Sequence, residues 1–388
     1  MKEQLSSILK SDLAKTSSII FIATLSSNLI LFLANLFIAD QLKPVGFGVF
    51  KTIIYLFSFL PILIELGIGA SLTKYIAEFG SRGKEKVGYL AKWFLKLKIY
   101  SYLVLMLLIF IFNEQISLIF LKDASLSYLI LSGILLMGLS FFSVFQSIVL
   151  GFQKFKLYAL SQFLTLTSSA ILGVLLSPLG IFYIVLGWSF GPLIGNLFSI
   201  KFFFDSRILK KTKEFDIKSI FLKFSMPIYL IGITTGLSSA IIPFLSLFFS
   251  QEKIGYFSFA FIFYFAALLI PGALASFVFP KVSELNGLKK HGDAKIVLKK
   301  AFKLYVFVAV LGVLFVILFS EWLFTTFFEV YLPSLFIFKV LTILGFISGF
   351  NTIYVNYLQG LGRMKRFALL TLIQNALLII ISFALLSL

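Results

Sequence analysis

Glu65 offers the most chemistry in this chain, because it stands in an apolar stretch where an ionised carboxylate requires a cation, water or a proton. Such a group either takes up H⁺ or Na⁺ and couples a movement to an ion gradient, or it pairs structurally with a lysine. Lys339, near the outer end of another apolar stretch, either snorkels to water or presents a fixed positive charge to an anion. Asn28 and Asn35 are two helical turns apart, so both amides fall on one face. That face suits either hydrogen bonds to sugar hydroxyls in a hydrated cavity or hydrogen bonds between helices. Lys74 and Lys281 close two apolar stretches in the similar contexts LTKYIAEF and FPKVSEL. They read either as topological anchors or as two cations gripping a pyrophosphate. Zero cysteines exclude thiolate sites, and the single histidine, His291, leaves no metal-ligand cluster.

Two prolines mark where the supporting elements bend. Pro61 removes a helix hydrogen bond and predicts a kink near 57–61, while Pro271 and Gly272 interrupt a later stretch at the equivalent depth. They are either hinges or fixed kinks. Thr342, Gly345, Ser348 and Asn351 follow Lys339 at three-residue steps, a small and polar strip suited to packing or lining.

The elements that carry these residues are membrane spans. The chain has 388 residues of which 60% are hydrophobic, and its mean hydropathy is +1.05. No soluble fold hides that much apolar surface, so lipid is the main solvent. Apolar spans fall near 16–38, 48–72, 99–113, 126–149, 157–177, 181–200, 219–249, 255–279, 303–320, 332–357 and 367–387. Most reach the roughly 20 residues needed to cross a bilayer. The fold class is therefore an all-α integral membrane protein of about eleven transmembrane helices.

A formal net charge of +18 would suggest nucleic acid, but its placement argues otherwise. Twenty-nine of the 34 Lys and Arg residues fall in the amino-terminal tail and in every second gap between spans, with the span edges beside those gaps. That alternation is the positive-inside rule, which sets the amino terminus and the basic gaps in the cytoplasm and removes the case for nucleic-acid binding. Residues 1–15 (MKEQLSSILKSDLAK) lack the pattern of a cleavable signal peptide. Leu5, Ile8, Leu9 and Leu13 recur at helical spacing, which fits a short interfacial helix on the cytoplasmic side.

The two ends of the span list echo each other. GFQKFKLYAL at 151–160 returns 209 positions later as GLGRMKRFAL at 360–369. Gly46 and Gly255 share that offset, and Pro61 and Pro271 differ from it by one. The chain thus reads as an amino-terminal six-helix lobe (16–205), a basic cytoplasmic linker (206–218) and a carboxyl-terminal lobe (219–388). An even number of spans before the linker sends both lobes into the membrane in the same direction. The expected relation is a pseudo-two-fold axis along the membrane normal with a cleft between the bundles. Adding 209 to span six puts its counterpart near 390–409, past Leu388, so either the sequence stops short of a twelfth span or the second lobe holds five spans and its end faces outside.

Five segments resemble the oligosaccharide (polysaccharide) flippase family, whose fold is shared with the multidrug extrusion (MATE) transporters. They are the amino-terminal stretch, QLKPVGFGVFK, ELGIGASLTKYIAEF, GFQKFK and LQGLGRMK. The resemblance extends over nearly the whole chain and implies two helical lobes with alternating access. It implies as cargo an oligosaccharide on a polyprenyl phosphate or pyrophosphate, moved from the cytoplasmic to the outer leaflet of the cell membrane. Spans one, two, seven and eight would then line the cavity, which adds Thr234, Thr235, Ser238 and Ser239 to Asn28, Asn35, Glu65, Lys74 and Lys281. The sequence departs from the family in its few mid-membrane cations and in its span count.

The expected partners are the lipid-linked oligosaccharide, membrane lipids and glycosyltransferases of the same pathway. No cofactor is expected beyond a coupling ion, H⁺ or Na⁺. An ion-coupled exporter of drugs or small cations is the alternative, with Glu65 as its carboxylate. A membrane glycosyltransferase or polymerase is a third reading, and it lacks the catalytic acids and large outer loops such enzymes use.

Overall fold

The first apolar stretch, Phe21–Leu63, has 43 residues, which is about 65 Å of helix against a hydrocarbon core of about 30 Å. It has to supply two crossings. In the structure, a computed structural model, it divides at Lys43, where the backbone turns to φ 55° and ψ 176°. The structure describes residues 12–79, 84–122, 126–206, 208–209 and 213–388. Of the expected interfacial segment 1–15, only 12–15 are among them, and they already belong to the first helix. Residues 207 and 210–212 of the expected linker also lie outside the described residues.

In chain order the main helices are α1 (Asp12–Leu63), α2 (Ile68–Phe79), α3 (Lys84–Ile111), α4 (Leu126–Gly151), α5 (Phe155–Leu176) and α6 (Ile181–Asp205). Then come α7 (Met226–Gly236), α8 (Gln251–Ala267), α9 (Leu269–Gly287), α10 (His291–Phe327), α11 (Leu335–Gly360) and α12 (Met364–Ser387). No strand occurs among the described residues. Ten described segments are long and apolar enough to cross a membrane. With the division at Lys43, they correspond to the eleven spans expected from the sequence.

Two compact units form, and they interleave along the chain. The first comprises residues up to Ala34 together with Ile53–Ala240, and the second Asn35–Thr52 together with Ile241–Leu388. The stretch 35–52 thus groups with the carboxyl-terminal helices, and residues up to Ala240 group with the amino-terminal ones. The division lies away from the basic linker.

Small residues bring the helices of the first unit together. Gly187, Gly191 and Gly195 recur every fourth residue along α6 and face Thr165, Ser169 and backbone oxygens of α5. A Cβ on Gly191 would lie 1.9 Å from Ser169 Oγ, so no larger residue fits. The approach lets Ser161 and Ser199 share a hydrogen bond at 2.9 Å, while Ser169 donates to Trp188 O at 2.9 Å. Close backbone packing joined by hydroxyls is how helices associate where hydrophobicity gives no advantage.

Aromatic rings knit the second unit. Tyr331 stacks on Phe259 at 4.1 Å between centroids, and Phe324 and Phe328 meet the Phe259 ring edge to face. The Tyr331 hydroxyl donates to Ala39 O at 2.8 Å, tying the 35–52 stretch to this layer. Gly48 and Gly255 let the backbones of the two stretches touch, since a Cβ on Gly255 would meet Pro44 O at 1.8 Å.

Candidate functional site

The chain leaves helical geometry at Ile64–Gly67, with Leu66 at φ 48° and Gly67 at φ 69°. The helix continues through Pro61 to Leu63, so the kink expected near 57–61 lies a turn later. The cause is a close approach: a Cβ on Gly67 would sit 2.1 Å from Ser225 O, a distance only glycine permits. Ser225 ends a wide turn of helix, Phe221–Ser225, that precedes α7. The contact is reinforced by a 2.6 Å hydrogen bond between the Ser71 and Ser225 hydroxyls.

This break positions Glu65. Its Oε1 accepts the Gly69 amide at 2.9 Å, capping the buried start of α2. Its Oε2 lies 2.8 Å from Lys98 Nζ and accepts the Ser143 hydroxyl at 2.9 Å. The Lys98 side chain is fully buried and that of Glu65 is 28% exposed. Of the two readings open for Glu65, pairing with a lysine is the one the geometry displays.

Lys98 itself was counted above among the basic residues of a cytoplasmic gap. In the structure it is inside α3, because the Glu65 carboxylate and the Ile64 carbonyl, 3.2 Å away, supply what a buried ammonium needs. The sequence held one signal for it: Glu65 required a cation, and Lys98 is the lysine that directly abuts span three.

Most of the other candidates have partners of their own. Lys74 is exposed and rests over the rings of Phe224 at 4.1 Å and Tyr75 at 4.7 Å. On α7 the hydroxyls of Thr234 and Thr235 return to backbone carbonyls three residues earlier, at 2.7 and 2.8 Å. Ser238 does the same weakly at 3.5 Å, and Ser239 is half-buried beside it. No residue of α7 is buried, so this hydroxyl-bearing helix keeps open surface within its unit. Asn28 donates to Thr24 O at 2.7 Å in the first unit.

Asn35, 6% exposed, belongs to the second unit and accepts from the buried Lys51, whose Nζ also lies 5.2 Å from the Phe47 ring. Lys281 pairs with Glu284 at 2.9 Å on α9, and Lys339 pairs with Glu321 of α10 at 2.9 Å. Pro271 is buried just after the interruption at Leu268, where its missing amide frees the α8 end. Gly272 is exposed, with open space where a Cβ would point. In the strip after Lys339, Thr342, Gly345 and Ser348 are buried, and Gly345 packs on Tyr264 and Ala267 of α8. Asn351 hydrogen-bonds Gln374 of α12.

The repeated motif is the same turn made twice. After α4, Gln153 (φ 57°) and Lys154 donate to Leu150 O and Val149 O; after α11, Gly362 (φ 72°) and Arg363 donate to Gln359 O and Leu358 O. Every partner is shifted by the same 209 positions, and both are Schellman-type helix ends. Gly151 abuts Ile76 of α2 and Gly360 abuts Val282 of α9, which explains glycine at both places.

Comparison with known proteins fits this duplicated helical architecture. Several solved structures share the fold. A multidrug resistance MATE family transporter of the MOP superfamily in its inward-facing conformation has a TM-score of 0.70 and 16% identity, over 93% of this chain and 94% of that one. The outward-facing conformation of such a transporter gives 0.64 and 15%, over 98% and 96%. A MATE structure in a bent conformation gives 0.63 and 17%, over 98% and 96%. No curated protein matches in sequence. The model of the family described as polysaccharide biosynthesis protein matches residues 13–286, well over half of the chain. This multi-pass, MATE-like membrane protein belongs to the polysaccharide biosynthesis protein family.

Proposed function

We propose that this protein flips an oligosaccharide carried on a polyprenyl phosphate or pyrophosphate from the cytoplasmic to the outer leaflet, by alternating access. The observation that carries the reading is membership of a polysaccharide biosynthesis family by a chain whose fold is that of transporters. Three local features support it. The hydroxyls of Thr234 and Thr235 on α7, and of Ser238 in the turn that follows it, lie in segments with no buried residue, suited to exchanging partners with sugar hydroxyls. Lys74 and Lys281 are accessible cations, the first resting over aromatic faces and the second paired with an exposed Glu284, so each exchanges its present contact for a phosphate oxygen at little cost. The density of exposed aromatic and aliphatic side chains, among them Phe307, Leu311 and Leu318 on α10, suits a protein whose cargo stays in the bilayer.

The amino terminus is cytoplasmic in this proposal, from the positive-inside pattern. Glycosyltransferases that build the glycan are the natural suppliers of cargo. Coupling to an H⁺ or Na⁺ gradient belongs to the same proposal, and ion exchange at Glu65 requires its pair with Lys98 to open. Reversing both lysines, as Lys74→Glu with Lys281→Glu, tests the pyrophosphate grip. Binding of a polyprenyl pyrophosphate should fall at least about tenfold, and unchanged binding would refute that role.

The fold likeness to multidrug MATE transporters favours a second reading, export of small organic cations. Counter-evidence is local: Glu65, the carboxylate such a cation would need, already holds Lys98.

A further inference from the structure

The break before α2 does more than expose Glu65, because it also frees a backbone carbonyl. In an unbroken helix Ile64 O would accept the amide of Ile68. Here the Ile68 amide turns to Glu65 O at 2.8 Å, and Ile64 O faces Lys98 Nζ at 3.2 Å. The same Nζ lies 2.8 Å from Glu65 Oε2, which also receives the Ser143 hydroxyl at 2.9 Å. Ser147 Oγ is close by, since it and Glu65 Oε1 both lie 2.8 Å from where a Cβ on Gly69 would stand. A freed carbonyl, a carboxylate and hydroxyls gathered at an unwound turn are the hard oxygen ligands that alkali-metal cations choose. The positive charge among them is an ammonium with no exposed surface, delivered on its stem from α3.

We propose that Lys98 is a tethered counter-ion: its ammonium occupies an alkali-metal cage built from Ile64 O, the Glu65 carboxylate and the Ser143 hydroxyl, and closes that cage to free Na⁺ or K⁺. Removing the side chain leaves the oxygen ligands and the negative charge in place, so the vacated centre becomes a site for the free ion. The inference rests on the first unit's geometry and stands whatever the cargo.

The test is thermal unfolding of the purified full-length protein in detergent, in NaCl, KCl or choline chloride at matched ionic strength. The unaltered protein should unfold at the same temperature in all three. Lys98→Ala should lose stability in choline and regain about 3 °C or more in about 100 mM Na⁺ or K⁺. Adding Glu65→Gln to Lys98→Ala should abolish the recovery. Equal unfolding temperatures of Lys98→Ala in all three salts, or a recovery that survives Glu65→Gln, would overturn the proposal. Should Lys98→Ala yield no folded protein in any salt, Lys98→Gln is read by the same criterion: cation-specific stabilisation supports the cage and its absence refutes it.

Discussion

Gly67→Ala is the substitution whose cost follows most directly from the geometry. At φ 69° an alanine loses about 1–2 kcal/mol relative to glycine for occupying the left-handed region. Its Cβ would also stand 2.1 Å from Ser225 O and 2.7 Å from Ser225 C, both backbone atoms that no rotamer change can move. Separating them costs a further 1–3 kcal/mol, on the order of other overpacked cores. It also strains the 2.6 Å bond between the Ser71 and Ser225 hydroxyls, worth about 1 kcal/mol. The total is about 3–6 kcal/mol. Thermal unfolding in detergent should therefore show a fall of several degrees, with Gly272→Ala as the control. Gly272 is exposed and has open space where a Cβ would point, so alanine there should be neutral or stabilise by up to about 1 kcal/mol. Equal unfolding temperatures for the two variants would refute the account of the α2 break.

Four further outcomes follow. Gly151→Ala and Gly360→Ala should destabilise by similar amounts, about 1–3 kcal/mol each, because their Cβ atoms meet Ile76 and Val282 at 2.8 and 2.9 Å; strongly unequal losses in unfolding assays would break the equivalence of the two turns. Tyr305→Phe should cost about 1 kcal/mol in the same assay by removing the 2.7 Å bond to Phe346 O. Glu321→Gln should change stability by less than about 1 kcal/mol, since its pair with Lys339 is solvent-exposed and screened. Glu65→Gln should weaken transport in reconstituted vesicles and its dependence on an ion gradient, and unchanged transport would remove Glu65 from the mechanism.

Much of the architecture was legible because lipid writes a coarse code. Span length and the 209-residue echo are one-dimensional signals, and they have counterparts in the apolar helical segments and in the duplicated turns. Less of the candidate site was legible, because it depends on where helices touch. In sequence Lys98 reads as one more loop cation, whereas in the fold a carboxylate from the break before α2 lies 2.8 Å away. Pro61 drew attention as the kink, yet the chain breaks at Gly67, where contact with Ser225 forbids a side chain. The grouping of 35–52 with the carboxyl-terminal helices had no trace in composition, since it is set by glycine contacts and one tyrosine hydroxyl.

The central claim is the cargo, and leaflet transfer measures it directly. The purified protein is reconstituted into vesicles carrying a fluorescent polyprenyl-pyrophosphate glycan, beside vesicles loaded with a fluorescent organic cation. The account predicts glycan transfer above protein-free vesicles, reduced in the Lys74→Glu, Lys281→Glu protein, with no movement of the cation. Glycan transfer no faster than in protein-free vesicles, with the cation exported, would contradict it.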